Sequence, residues 1–313
     1  MSELASRLAA LERRLDPVRT DQLPGVEIVA CGEVSAVLSV AELPGRILKR
    51  MSGFPSRERS QAYVAVVERY LAVLRALGVA VVATELVPLE PEPGRHVVYV
   101  VQPCLDPQRL GHALLRQEPF GEALALIEGV LEVVHRVLAL NGRRSDGREV
   151  AIDAQLSNWH WPPTAEGERR PVLLDVATPF MRLRGALEMG TELFLYPFLP
   201  PLRWWARRTR AVERYIDDYF HFDRTVHDLL GNFLKEGAAG KLAEAIAFVN
   251  AWIARQPDGE RLGRVDEQTV RAYYARDAAT LEFSLRARRL DRFVTVRLLR
   301  RRYDFILPGR IAR

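Results

Sequence analysis

The strongest constraint on this chain is a change in its hydrophobic period. From Gly25 to Cys104 apolar residues mostly alternate, in VEIVACGEVSAVLSVAEL, RILKRM, AVVATELVPL and RHVVYVVQPC. That period of two belongs to strands with one buried face. It is interrupted once. Tyr63, Val66, Val67, Tyr70, Leu71 and Leu74 recur at helical spacing behind Ser56, a suitable N-cap, and Gly78 ends the run. A shorter amphipathic helix over residues 2–16, with Leu4, Leu8, Leu11 and Leu15 on one stripe, precedes the strands and stops at Pro17. Beyond Asp106 the balance reverses, with helical patterns over 107–117, 120–140, 204–235, 239–255 and 266–288. Strands first and helices afterwards predict an α+β chain rather than alternating βαβ units. The expected division is 1–105, mainly β with one long helix, and 106–313, mainly helical, parted at PCLDP over residues 103–107.

Composition enters mainly by exclusion. With 48% hydrophobic and 27% charged residues in 313, the chain buries a substantial core and is not disordered over most of its length. Two cysteines, Cys31 and Cys104, are too few for a disulfide framework or a cysteine-rich metal site. The six histidines form no metal-ligand spacing, and the nucleophile-elbow, dinucleotide and P-loop signatures are missing. No run approaches the roughly 20 apolar residues of a membrane span, and none suits a signal peptide. A cytoplasmic protein without a membrane partner is therefore expected. The formal charge of +5 favours anionic partners without choosing among them. Arginines gather at 203, 207, 208, 210 and 214 beside Trp204 and Trp205, and again at 286, 288, 289, 292, 297 and 300–302. These are solvated basic faces, interlobe salt bridges or contacts to an anionic substrate or partner; association with nucleic acid stays open, though no known nucleic-acid motif accompanies them.

Chemistry concentrates in a few polar residues set among apolar strands. Lys49 shares the period-two face of Ile47 and Met51, and Glu68 lies in the long helix. AIDAQLSNW carries Asp153 and Asn158 in a non-helical island over 150–180, and PVLLD ends an apolar strand at Asp175. The order is strand lysine, helix glutamate, Asp-x4-Asn, then a strand-end aspartate. In that order, over roughly residues 25–235, the chain resembles the protein-kinase-like superfamily, and it looks closest to the aminoglycoside-phosphotransferase-like small-molecule kinases.

The resemblance implies a two-lobed protein-kinase-like fold and a set of roles. Lys49 would contact nucleotide phosphates, with Glu68 as its positioning partner, under a hairpin containing Gly32. Asn158 and Asp175 would hold Mg2+, and Asp153 would face the acceptor hydroxyl. The backbone near Val101–Cys104 would receive the base of ATP. Three departures accompany it: Ala151 stands where the family usually has histidine, Val176 and Ala177 follow Asp175, and the hairpin holds a single glycine. Gln155 or Trp159 would then have to support the loop that a histidine normally orders. Trp159 and Trp161, two apart, are expected beneath the site, with His160 pointing elsewhere. The expected function is ATP- and magnesium-dependent phosphoryl transfer to a hydroxyl of a small molecule. The alternatives are a catalytically inactive nucleotide-binding scaffold and a nucleic-acid-associated protein using its arginine-rich helices.

Overall fold

The computed structural model describes residues 2–32, 35–141, 143–163 and 169–308. Glu33 and Val34 of the expected phosphate-covering hairpin, Gly142, and 164–168 of the polar turn lie outside the described residues.

The first part runs α1 (Glu3–Arg14), β1 (Val26–Cys31), β2 (Ser35–Val40), β3 (Arg46–Phe54), α2 (Arg57–Ala76), β4 (Ala80–Val81), β5 (Glu85–Glu92) and β6 (Arg95–Pro103). Five of these strands form one antiparallel sheet in the order β1-β2-β3-β6-β5. Alternation along β3 assigns its two faces. Leu48 and Arg50 meet α1, packing with Leu8, Leu11 and Leu15, while Lys49 and Met51 face α2. Ser56 caps α2 by accepting from the Arg59 amide, and the apolar stripe read from the sequence is its buried face.

A larger, mainly helical region follows: α3 (Gly111–Leu114), α4 (Gly121–Asn141), β7 (Arg148–Val150), β8 (Trp159–His160), β9 (Val172–Leu173), β10 (Met181–Leu183) and β11 (Ala186–Leu187), then α5 (Glu192–Leu195), α6 (Pro200–Thr209), α7 (Ala211–Asp217), α8 (Phe222–Lys235), α9 (Leu242–Ala254), α10 (Gly259–Leu262) and α11 (Glu267–Phe293). The fold is α+β, as its two periods predict. One apolar core continues from Met51, Val98 and Val100 under α2 into α4, α8 and α9. Among the described residues no helix is long and apolar enough to cross a membrane.

Two features depart from the periodicity. The helix expected over 204–235 is three helices, because Arg210 takes a left-handed φ of 51° and His221 is extended. The last described stretch leaves the helices and returns to the sheet. There the Asp304 carbonyl accepts from Arg50 (2.6 Å) and Ser52 (2.9 Å), and Ile306 joins the core beneath α1.

Glu12 ties these pieces together. Its carboxylate is fully buried and accepts from Arg50 Nε (2.5 Å), Arg95 Nη2 (2.5 Å) and the Tyr99 hydroxyl (2.6 Å). Burial pushes this carboxyl up, but Arg50, Tyr99 and Arg95 outweigh burial and hold it below its ordinary value. A depressed folded pKa means stability that is present above the unfolded value and lost as pH falls through the folded one. Glu12→Gln should therefore destabilise the protein by about 3–5 kcal/mol at neutral pH in urea unfolding, since two buried guanidinium groups lose their counter-charge. The variant should also lack the acid loss of this contribution that the wild type shows.

Candidate active site

Two small sheets bring the polar motifs together. β7 pairs with β10, and β8 with β9, both antiparallel; β9 also runs parallel to β4. The loop from β7 to β8, carrying Asp153 and Asn158, must therefore run beside the loop from β9 to β10, carrying Asp175. Backbone bonds fix both ends of this pair of loops: Ala151 N–H donates to Phe180 O (2.9 Å) and Leu174 N–H to Asn158 O (2.8 Å).

From the sheet, Lys49 Nζ reaches Asp175 Oδ2 at 2.6 Å. The pair is part-buried, its side chains 16% and 28% exposed, so water reaches it and it can be broken without stranding a charge in a dry core. Asp175 Oδ1 accepts from the Ala177 amide (3.1 Å), which orients the carboxylate. Gln102, on the same sheet face, donates to Leu174 O (2.8 Å) and holds the adjoining backbone.

Asp153 Oδ1 accepts from the Gln155 amide (2.8 Å), and the Asn158 side chain also bonds this carboxylate. Burial, with the Asp175 charge adding to it, pushes the Asp153 carboxyl up to about 6 despite those bonds. A second carboxylate stands behind it. Asp228, on the buried face of α8, accepts from Gln155 Nε2 (3.4 Å), and Lys235 Nζ donates to Gln155 Oε1 (3.1 Å). Burial, then the charges of Asp153 and Asp277, push the Asp228 carboxyl well up. Asp228 Oδ2 and Asn232 Oδ1 are buried without hydrogen-bond partners. They line a small cavity of about 10 Å³, room for no more than about one water, with Gln155, Lys235, Tyr273 and Asp277.

Both loops hang from α2. Tyr70 donates to Ala151 O and Tyr63 to Ala177 O, each at 2.8 Å. Lying seven residues apart, they share a helix face, so one helix sets the spacing of the two loops. Support for the first loop thus comes from Tyr70 together with Gln155, whose amide and side chain tie the loop to Asp153 and to α8. On the other side, α3 presses on the same loop at Gly111, where a Cβ would collide with the Leu156 carbonyl.

The structure brings together Lys49, Asp153, Asn158 and Asp175. It does not bring Glu68 to them. Glu68 is exposed on α2, because the inward face is filled by the apolar stripe and the two tyrosines, and the carboxylate on Lys49 is that of Asp175. Gly32 is exposed at the end of β1, with its N–H on Ser35 O (2.9 Å). Along Val101–Cys104, Pro103 has no N–H and Cys104 spends its own on Gly45 O (2.8 Å). A base there would meet carbonyl acceptors at these two residues. Trp159 and Trp161 are core residues, and His160 is buried as well.

Among the described residues no group of three or more His, Cys, Asp or Glu could hold a metal by itself. Asn158 and Asp175 offer an amide and a carboxylate oxygen. That donor set suits magnesium shared with a polyphosphate and water, the usual mode for this ion.

Sequence reasoning missed Tyr63 and Tyr70 as loop anchors, and Asp228 with Lys235 behind the site. The signals were present: two hydroxyls in a buried stripe need acceptors, and Asp228 and Asn232, four apart, interrupt the buried face of α8.

The model of a family of unknown function (DUF6206) matches residues 27–292, a span that includes every residue of the site. No curated protein matches the chain. Tyr63→Phe and Tyr70→Phe should each lower stability by about 1–2 kcal/mol, leaving a buried carbonyl unpaired. Gly111→Ala should cost about 1–3 kcal/mol by overpacking against backbone. Chemical unfolding of the three variants checks both values.

Proposed function

We propose that the chain, which belongs to the DUF6206 family, is a two-lobed kinase-like phosphotransferase that uses ATP and magnesium to phosphorylate a hydroxyl of a small molecule. The observation that carries this reading is the ion pair of Lys49 with Asp175, 126 residues away in sequence, beside Asp153 and Asn158. Four chemically complementary groups that the resemblance names in order along the chain lie together in space.

The Lys49 ammonium, reaching out of the sheet, would neutralise phosphate oxygens and hold the nucleotide in line. A magnesium ion held by Asp175 and Asn158 would supply charge neutralisation at the phosphates. In the free protein Asp175 takes the place of that phosphate on Lys49. Asp153 is the group placed for the acceptor: one oxygen is fixed by the Gln155 amide, and its raised carboxyl is basic enough to take a hydroxyl proton near neutral pH. Tyr70 offsets the loss of the histidine at position 151 by holding that residue's carbonyl. Behind Gln155, the unpartnered oxygens of Asp228 and Asn232 call for a donor, and the space beside them suits a single bridging water.

Calorimetry with ATP, with and without Mg2+, tests the nucleotide half. Wild type should bind more tightly with the metal; Asp175→Ala should lose that dependence, and Lys49→Ala should bind weakly in both conditions. Equal metal dependence in wild type and Asp175→Ala contradicts the assignment. For the acceptor half, Asp153→Asn should leave ATP–Mg affinity nearly unchanged. It should lower γ-phosphate transfer to a panel of polyols and amino alcohols by about 10²–10⁴-fold. Nucleotide binding with transfer to nothing, water included, would favour the inactive scaffold.

A further inference from the structure

The arginine-rich segments play no part in the site, and the structure gathers them at one end of the helical region. α6 turns Leu202, Arg203 and Ala206 inward and presents Pro201, Trp204, Trp205 and Arg208 outward, the i, i+3, i+4, i+7 pattern of one face. Trp204 is 66% exposed. On the last turns of α11, Phe283, Arg286, Leu290 and Phe293 form a second outward ridge, and Arg297, Leu298 and Leu299 follow it, also exposed. The segments that carry these faces meet on their inner sides. Tyr196, just before α6, and Val296, just after α11, pack into one apolar cluster with Tyr303 and Phe305. Arg203 donates to the Phe198 and Tyr196 carbonyls and also acts on the charge of Asp291.

Single exposed apolar side chains are ordinary; two adjacent tryptophans with five exposed leucines and phenylalanines nearby are not. The charge around it is mainly positive, the exposed exception on the ridge being Glu282, which pairs with Arg286. Residues 283–302 hold eight arginines and one acidic residue, Asp291, which is buried, and 200–210 hold four arginines and no acid. Arg207, Arg208, Arg297, Arg300 and Arg301 have no carboxylate partner among the described residues.

We propose that the α6 face and the α11 ridge dock together on an anionic phospholipid surface, with the aromatic and aliphatic side chains in the interface and the arginines on the headgroups. Amphipathic tryptophans with a cluster of cations are the composition such a surface binds. Nucleic acid would also take the arginines and could stack on the tryptophans, but it offers nothing to Leu290, Leu298 and Leu299, whereas lipid takes all of them. The expectation of no membrane partner rested on the lack of a spanning segment, and peripheral docking needs none. The inference is independent of the proposed phosphotransferase activity.

Co-sedimentation with phosphatidylcholine vesicles, with and without phosphatidylserine, tests it on the full chain. Wild type should bind the anionic vesicles at least about tenfold more tightly than the neutral ones, and added salt should weaken binding. The tryptophan emission should shift to the blue on binding. The double variant Trp204→Ala/Trp205→Ala should lose at least about tenfold in affinity and lose that shift, since Trp159, Trp161 and Trp252 are already buried. Arg208→Glu/Arg297→Glu/Arg301→Glu should abolish the preference for phosphatidylserine. All these positions are exposed, so thermal unfolding should match wild type; Phe293→Ser gives a second route if one variant does not fold. No binding to anionic vesicles overturns the proposal. So does binding of a single-stranded RNA oligomer in place of vesicles, or self-association that the tryptophan variant abolishes while vesicles stay unbound.

Discussion

Strand β3 carries two cations in succession, and the rest of the structure is arranged around where each finds its carboxylate. Because side chains alternate along a strand, Arg50 and Lys49 must leave opposite faces of the sheet. Arg50 meets Glu12 in a nearly dry site, where both charges are fully enclosed and the carboxylate is also bonded to Arg95 and Tyr99. Desolvation there is large, so the pair is tolerable only with every oxygen satisfied, and it works as a fixed clasp between α1, the sheet and the returning C-terminal segment. Lys49 meets Asp175 in a wetter place with fewer supporting bonds. An ion pair of that kind contributes little net stability and can exchange partners. The chain thus places a fully enclosed salt bridge on one face of its sheet and a part-buried one on the other.

Between the exchangeable pair and the helical region stands α2. Its apolar stripe belongs to the core that continues into α4, α8 and α9, and its two buried tyrosines bind the loops that carry the polar groups. Any shift of α2 on the sheet would move Ala151 and Ala177 together, and with them Asp153 and Asp175. The site itself is not built for stability. Burial and the charge of Asp175 raise the Asp153 carboxyl, and burial and the charge of Asp153 raise that of Asp228, an arrangement that disfavours the ionised folded state.

The fold class, the cap and buried face of α2, and the face of Lys49 were legible because each follows from local periodicity or local capping chemistry. Asp153, Asn158 and Asp175 were legible as motifs, since short polar signatures between apolar strands stand out in sequence. Glu68 was not correctly read: a helical period identifies the buried stripe, but a carboxylate one residue from Val67 lies about 100° round the helix from it. Arg210 left no mark either, for one left-handed residue parts α6 from α7 without changing the apolar spacing on either side. The return of residues 303–307 to the sheet depends on Arg50 and Ser52, more than 250 residues earlier, and no local pattern reports such a contact.

The central claim is that Lys49 and Asp175 hold each other only until a nucleotide and its metal take both. A crystal structure of the full chain with magnesium and a non-hydrolysable ATP analogue tests this most directly. The account predicts that Lys49 Nζ leaves the 2.6 Å contact with Asp175 for phosphate oxygens. It also predicts that Asp175 and Asn158 coordinate the ion, with Asp153 facing the terminal phosphate. A nucleotide bound elsewhere, or a Lys49–Asp175 pair unchanged beside a bound nucleotide, would contradict it.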